Sequence, residues 1–137
     1  IRMRILFADK FSASHLESVA AMGYECVVDE GLTTENLPSQ IDGAQVLVVR
    51  STQVTAKTFA AAAALRLVIR AGAGTNTIDK QCAANKGIYV CNVPGKNAIA
   101  VAELTLGLML AIDRNIPESF PWVSPRDLSL LLYLNMF

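Results

Sequence analysis

Histidine and cysteine, the side chains that most often carry catalysis or bind metals, are scarce in this chain. The single histidine, His15, lies near the start of a predicted helix, with no acid or nucleophile in a recognisable motif beside it. The three cysteines, Cys26, Cys82 and Cys91, lack the spacing of a metal site, and their odd number argues against a disulfide framework. We therefore expect no metal site, a solvated His15 and a cytoplasmic location.

An excess of charge of one sign is also missing. Twelve basic residues balance twelve acidic ones, and no basic stripe with interleaved aromatic residues is present. Nucleic acid is therefore not expected as a partner. The apolar segments near the start and over Leu128–Phe137 are too short to span a bilayer, and the start does not resemble a signal peptide. No membrane partner is expected either.

The chain does have a regular alternation of short apolar runs and amphipathic segments. The runs predict five strands, at Arg4–Ala8, Tyr24–Val28, Gln45–Val49, Leu67–Ile69 and Ile88–Cys91. Strands that are apolar on both faces belong to parallel sheets covered by helices on both sides. The alternation predicts an α/β fold, a flavodoxin-like five-stranded parallel sheet in the order 2-1-3-4-5 with helices on both faces.

This sheet order brings two arginines to one edge of the sheet. Arg50 follows the third strand and Arg70 ends the fourth, and these strands are neighbours in the predicted order. Ligands of parallel sheets bind at the carboxyl ends of the strands. The loop after Arg70 is therefore the first place to look for chemistry.

Two glycines in this loop, Gly72 and Gly74, allow three interpretations. A dinucleotide fingerprint would need a small residue where Thr77 stands, and an acidic ribose ligand about twenty residues further on, where the chain has Tyr89 to Asn92. Alternatively, the bare amides of the loop beside Arg70 hold a small anion such as a carboxylate or a phosphate. In the third interpretation the glycines only let the chain leave the strand.

A long helix is predicted from Asn97, as its capping residue, to about Arg114. Only Glu103 and Thr105 interrupt an otherwise apolar surface between Ile99 and Ile112. Such a helix should be buried on more than one side. We infer that it meets a second domain or subunit.

Four motifs, in order and correctly spaced, resemble the amino-terminal part of the D-isomer-specific 2-hydroxyacid dehydrogenases. They are Val46–Ser51, Val68–Asp79, Lys86–Pro94 and Ala102–Thr105. Within that family the chain is most similar to the phosphoglycerate dehydrogenase branch, over nearly everything from Arg4 to Pro117. The resemblance implies an NAD-dependent oxidoreductase built from a substrate domain and a cofactor domain.

The resemblance also implies site residues. Substrate contacts are implied at Arg50, Ser51, Arg70, Ala73 and Gly74, with the loop amides on the substrate carboxylate and the arginines on the phosphate. Cofactor contacts are implied at Ala73 and Thr105. Some relatives have a threonine at the position of Ala73 whose side chain touches NAD, so only a backbone contact is carried over. The implied roles agree with the small-anion interpretation, because paired guanidinium groups bind phosphate bidentately.

Relatives continue into a Rossmann domain that carries a glycine fingerprint, an acidic ribose ligand and a catalytic Arg, Glu and His. None of these follows Pro117 here. The resemblance therefore implies a substrate-binding domain over 3–96, a helix over 97–117 that meets the cofactor domain, and a tail over 118–137 unlike that of the family. We expect the substrate-binding part of an enzyme that oxidises 3-phosphoglycerate in serine biosynthesis, without a catalytic residue and inactive alone.

Three alternatives stay open. The substrate can be another small anionic 2-hydroxy or 2-oxo acid. The chain can be a non-catalytic partner that pairs through the 97–114 helix, the segment through which a homo-oligomer is also expected. A receiver-like module would use Asp9, at the end of the first strand, but Arg50 and Ser51 stand where its phosphoacceptor aspartate should end the third strand.

Overall fold

The computed structural model describes residues 2–116. Contacts divide the chain into two compact units, 1–96 and 97–137. The strands are β1 (Arg4–Phe7), β2 (Glu25–Val28), β3 (Val46–Val49), β4 (Leu67–Arg70) and β5 (Tyr89–Asn92). The helices are α1 (Ala13–Ala21), α2 (Leu37–Gln40), α3 (Ala56–Ala61), α4 (Lys80–Asn85) and α5 (Ala98–Asp113).

The first unit is a five-stranded sheet in the order β2-β1-β3-β4-β5, and every pairing is parallel. Each face of the sheet packs against helices. One face contributes Leu6, Leu47, Val49 and Val68 to a core shared with Leu37 of α2, Phe59 of α3 and Ala83 of α4. The other face contributes Ile5, Phe7, Val46 and Val48, against Leu16 and Val19 of α1. The predicted fold is confirmed.

Element boundaries follow local signals at some ends and burial at others. Gly23 and Gly87, which follow α1 and α4, have positive φ angles of 93° and 67°, a conformation that glycine adopts without strain. Helix α3 ends at Ala61, although the alanine-rich segment continues to Ala64. The physical reason is burial, because Ala62 and Leu65 turn into the core at 4% and 1% exposure.

The second unit is described over residues 97–116 and contains α5. Asn97 occupies the position before the helix, as predicted, but its side chain makes no capping hydrogen bond. No residue of α5 is buried. Within the described residues, no helix is both long and apolar enough to cross a membrane. The predicted tail over 118–137 lies outside the described residues.

Candidate functional site

The two arginines leave neighbouring strands at the same edge of the sheet. Val49, the last residue of β3, is paired with Arg70, the last residue of β4. Arg50 therefore follows one position beyond Arg70 along the strand direction. The predicted sheet order thus brings both residues to the carboxyl edge, while their binding of a phosphate stays a prediction.

Arg70 lies directly against Gly72. A Cβ atom at Gly72 would overlap Nη1 of Arg70 and lie 2.7 Å from its Cζ, so a larger residue would make the guanidinium group move. The Nε atom of Arg70 is buried and has no acceptor among the described residues. A buried donor without a partner costs about 1–3 kcal/mol. The guanidinium group is therefore placed to gain from a bound anion.

Of the two glycine amides in this loop, one is occupied. The N–H of Gly72 donates to the carbonyl of Arg70 at 2.8 Å, which corrects the expectation that the amides of both glycines face an anion. The N–H groups of Ala73 and Gly74 donate to no acceptor in the described part of the chain, and both residues are exposed. Ala73 and Gly74 thus offer the two adjacent donors that the small-anion interpretation requires.

The last residue of β5 and the residue after it determine the direction in which these amides point. Nδ2 of Asn92 donates to the carbonyl of Ala73 at 2.7 Å, and the N–H of Val93 donates to the carbonyl of Gly72 at 3.0 Å. In a trans peptide the C=O and N–H groups point in opposite directions. Because both carbonyls face the segment after β5, the N–H groups of Ala73 and Gly74 are turned away from it.

The sequence analysis did not find the role of Asn92. Its partner Ala73 is 19 positions away, so no local motif indicates the contact. The available signal was the predicted sheet order, since β4 and β5 are neighbours and Arg70 is paired with Asn92. A polar residue at that level of β5 is within reach of the glycine loop.

A second missed residue is Asp9, just after β1. Its Oδ2 accepts hydrogen bonds from the backbone N–H groups of Arg50, Ser51 and Thr52, at 2.6, 3.1 and 3.3 Å. The amides that follow β3 are therefore already paired within the protein. At this strand end any contact with a ligand therefore falls to side chains.

An open groove adjoins Ser51. Its volume is about 520 Å³, and it is lined by Thr33, Thr34, Glu35, Ser51, Thr52 and Gln53. Hydroxyl and amide groups dominate this lining. The groove widens the polar edge of the sheet beyond the two arginines.

The remaining predicted residues have other surroundings or partners. Thr105 belongs to α5, in the second unit, where its hydroxyl donates to the carbonyl of Val101 at 2.7 Å. His15 is exposed on α1. The described residues contain no group of three or more side chains that could hold a metal ion.

Cys82 and Asp79 interact at the start of α4. A hydrogen bond to the Asp79 carboxylate, together with desolvation, raises the pKa of Cys82. The N–H of Cys82 in turn lowers the pKa of Asp79, which keeps that carboxylate ionised as the cap of α4. The arrangement provides hydrogen-bond donors for an anion.

Known proteins are similar to this chain in sequence. Residues 5–130 match the family model of the D-isomer specific 2-hydroxyacid dehydrogenase catalytic domain. The chain is 44% identical over 118 residues to D-3-phosphoglycerate dehydrogenase from Methanocaldococcus jannaschii, which covers 85% of this chain and 22% of the relative. It is 48% identical over 94 residues to hydroxypyruvate reductase from Thermotoga maritima, which covers 68% of the chain and 31% of the relative.

A solved structure is similar to this chain in fold. The crystal structure of NAD+-bound 3-phosphoglycerate dehydrogenase from Entamoeba histolytica superimposes with a TM-score of 0.72 and 27% identity, over 81% of this chain and 39% of that one. The chain thus spans about a fifth to two fifths of the length of these relatives. With the family model matched over most of its length, the chain belongs to the D-isomer specific 2-hydroxyacid dehydrogenase family.

Proposed function

We propose that this chain is the substrate-binding part of a cytoplasmic, NAD-dependent D-3-phosphoglycerate dehydrogenase, which oxidises 3-phosphoglycerate to 3-phosphohydroxypyruvate in serine biosynthesis. The observation that carries the proposal is the buried, unpaired Nε of Arg70 beside the exposed amides of Ala73 and Gly74. Similarity to D-3-phosphoglycerate dehydrogenases over 85% of the chain supports it.

Each end of the substrate has a binding group in this proposal. The amides of Ala73 and Gly74 receive the carboxylate, since two adjacent N–H groups match two carboxylate oxygens. The phosphate is bound by the guanidinium groups of Arg50 and Arg70 and by the hydroxyl of Ser51. Guanidinium forks are suited to phosphate because they donate two parallel charge-assisted hydrogen bonds.

The described residues could make only a few of the contacts that a nicotinamide cofactor needs. NAD, when bound, supplies the hydride acceptor. Because the N–H of Ala73 is assigned to the substrate carboxylate, its contact with the cofactor falls to the second lone pair of its carbonyl, whereas the Thr105 hydroxyl hydrogen is already donated to Val101. Because the sequence has no dinucleotide fingerprint, we assign most of the cofactor contacts to a domain outside these residues.

Titration of the ¹⁵N-labelled chain with 3-phosphoglycerate tests the proposal by NMR. We expect shifts at the amides of Arg50, Ala73 and Gly74. Arg70→Ala should weaken binding by about 30-fold, the loss of a charge-assisted hydrogen bond of about 2 kcal/mol. Arg66→Ala is the matched control, because this exposed arginine precedes β4 at the opposite edge of the sheet. Shifts confined to other loops would reject the site.

A dehydrogenase for another D-2-hydroxy acid is a second candidate, favoured by the similarity to hydroxypyruvate reductase. The ligands differ in the phosphate, which D-glycerate lacks. If D-glycerate binds as tightly as 3-phosphoglycerate and Arg50→Ala affects neither ligand, the phosphate is not recognised. That result would favour the second candidate.

Pairing through residues 97–114 is a third candidate, either as a homo-oligomer or as a non-catalytic partner of a complete enzyme. The observation in its favour is exposed apolar surface on α5, where Leu106 is 61% and Ile112 is 74% exposed. Light scattering after gel filtration measures the mass of the species. A dimer that Leu106→Glu converts to a monomer would support pairing, and a monomeric wild type would count against self-association.

A further inference from the structure

We propose that Asp9 is a positioning residue of the substrate site, which fixes the turn over residues 50–52 and so determines where Arg50 and Ser51 meet the substrate phosphate. This inference rests on the proposed function. Nothing in the sequence motifs assigns Asp9 to this site, because it follows β1 and is 41 positions from Arg50. The sheet order β2-β1-β3 brings it there.

The contacts of Asp9 are concentrated on one turn. One carboxylate oxygen receives three consecutive backbone N–H groups, from Arg50 to Thr52. The other oxygen lies 3.2 Å from the Thr52 hydroxyl. Hydrogen bonds to an ionised acceptor are stronger than those between neutral groups. A single side chain therefore holds the backbone of all three residues of the turn.

Strand geometry alone would put the side chains of Arg50 and Arg70 on opposite faces of the sheet. Paired residues of a parallel sheet share a face, so Arg70 lies on the face of its partner Val49. Side chains alternate along a strand, and a continued β3 would send Arg50 to the opposite face. The chain instead leaves the strand after Val49, and the Asp9 carboxylate accepts hydrogen bonds from the backbone amides that follow. The position of Arg50 thus depends on this turn.

The turn is also linked to the neighbouring loop. The Thr52 hydroxyl lies 3.2 Å from the carbonyl of Ala8 and 3.5 Å from that of Leu32, in addition to its contact with Asp9. Thr52 therefore sits between the end of β1 and the segment that contributes Thr33 and Thr34 to the polar groove. A substitution of Asp9 therefore removes contacts of the Arg50 turn directly, whereas it affects the groove only through Thr52.

The test compares the affinities of the 137-residue chain for 3-phosphoglycerate and for D-glycerate, which lacks the phosphate. We expect Asp9→Ala to raise the Kd for 3-phosphoglycerate about tenfold and to leave D-glycerate binding unchanged. In an Arg50→Ala background, Asp9→Ala should have little further effect, because both changes remove the same contact. Asp9→Asn, which keeps an acceptor oxygen, should restore part of the affinity.

Asp29→Ala is the matched control. Its Oδ1 also accepts a backbone N–H, from Gly31 at 2.9 Å, but in an exposed turn elsewhere. We expect this variant to bind both ligands as the wild type does. If circular dichroism shows that Asp9→Ala does not fold, Asp9→Asn is tested instead. Its affinity for 3-phosphoglycerate and the amide chemical shifts of residues 50–52 are then measured.

Three results would overturn the inference. The first is that Asp9→Ala leaves the affinity for 3-phosphoglycerate unchanged, and the second is that it lowers the affinities for both ligands equally. The third is that the variant binds inorganic phosphate more tightly, through the backbone amides that Asp9 no longer occupies. Each would show that Asp9 does not act by positioning Arg50. If the wild type binds neither ligand, the proposed function fails and the inference fails with it. If the wild type binds 3-phosphoglycerate and Asp9→Ala binds it equally well, the inference fails while the proposed function stands.

Discussion

Gly72 leaves space for the guanidinium group of Arg70, since a Cβ atom at this position would overlap its Nη1. We expect Gly72→Ala to displace the guanidinium group from its place against the glycine loop. Losing this charge-assisted contact should weaken 3-phosphoglycerate binding by about 2 kcal/mol, or roughly 30-fold. Calorimetric titration measures the change. Gly107→Ala, whose Cβ would meet nothing within 4 Å, is the control, and equal affinities of wild type and Gly72→Ala would contradict the assignment.

Asn92 aims the same amides from the other side. We expect Asn92→Ala to release the carbonyl of Ala73, and so to weaken 3-phosphoglycerate and D-glycerate alike, by about tenfold or 1.4 kcal/mol. The two ligands should respond equally because the carboxylate is common to both. NMR titration measures both affinities. Asn85→Ala removes an exposed side-chain contact with Gln81 instead and should leave binding intact. A loss confined to 3-phosphoglycerate would be inconsistent with this role.

These residues differ in how far the sequence could predict them. Arg70, Ala73 and Gly74 stand together after an apolar strand, so their local pattern indicates an anion-binding loop. Asp9 and Asn92 act on partners 41 and 19 positions away. Their neighbours along the chain carry no sign of these contacts, which exist only because the sheet places separate strand ends side by side.

At the scale of the element, Asp79 makes the stability of α4 depend on pH. Its Oδ1 accepts from the N–H of Cys82 at 3.0 Å, and this bond lowers its pKa below the ordinary value of 3.8. Because the folded-state pKa is the lower one, the ionised cap stabilises the fold above the unfolded pKa, and this is lost as the pH falls through the folded pKa. We expect Asp79→Ala to lower the Tm at neutral pH and to have little effect in strong acid.

Thermal unfolding followed by circular dichroism measures both conditions for this variant. Asp42→Ala is the matched control, since the carboxylate of Asp42 is exposed and accepts no backbone amide in the described chain. Its Tm should follow that of the wild type at both pH values. A Tm loss for Asp79→Ala that is equal at neutral and acid pH would show that the charge of the cap is not responsible.

The elements themselves could be predicted well, because short apolar runs and glycines are local signals. All five strands lie where the runs indicated, and Gly23 and Gly87 mark the ends of two helices. The end of α3 could not be predicted, since it depends on how Ala62 and Leu65 pack into the core. Burial of this kind is decided by residues distant in sequence.

At the scale of the whole molecule, the site is a row of strand ends. β1, β3, β4 and β5 are consecutive in the sheet, and Asp9, Arg50, Arg70 and Asn92 stand at or just after their ends. The outer two residues hold backbone, whereas we assign the inner two to the phosphate. Parallel strands make this division possible, because all of their carboxyl ends share one edge.

We assign only substrate binding to this row of residues, so we expect the 137-residue chain to bind 3-phosphoglycerate without forming NADH. Hydride transfer needs a nicotinamide held against the substrate and a base beside the reacting hydroxyl. The sequence has no dinucleotide fingerprint, and its one histidine, His15, lies on α1. An absorbance assay for NADH measures turnover, with the Methanocaldococcus jannaschii enzyme as the positive control. If NADH forms in proportion to the concentration of this chain, and Arg70→Ala abolishes its formation, the chain completes the reaction by itself. The proposed division between substrate binding and cofactor binding would then be wrong.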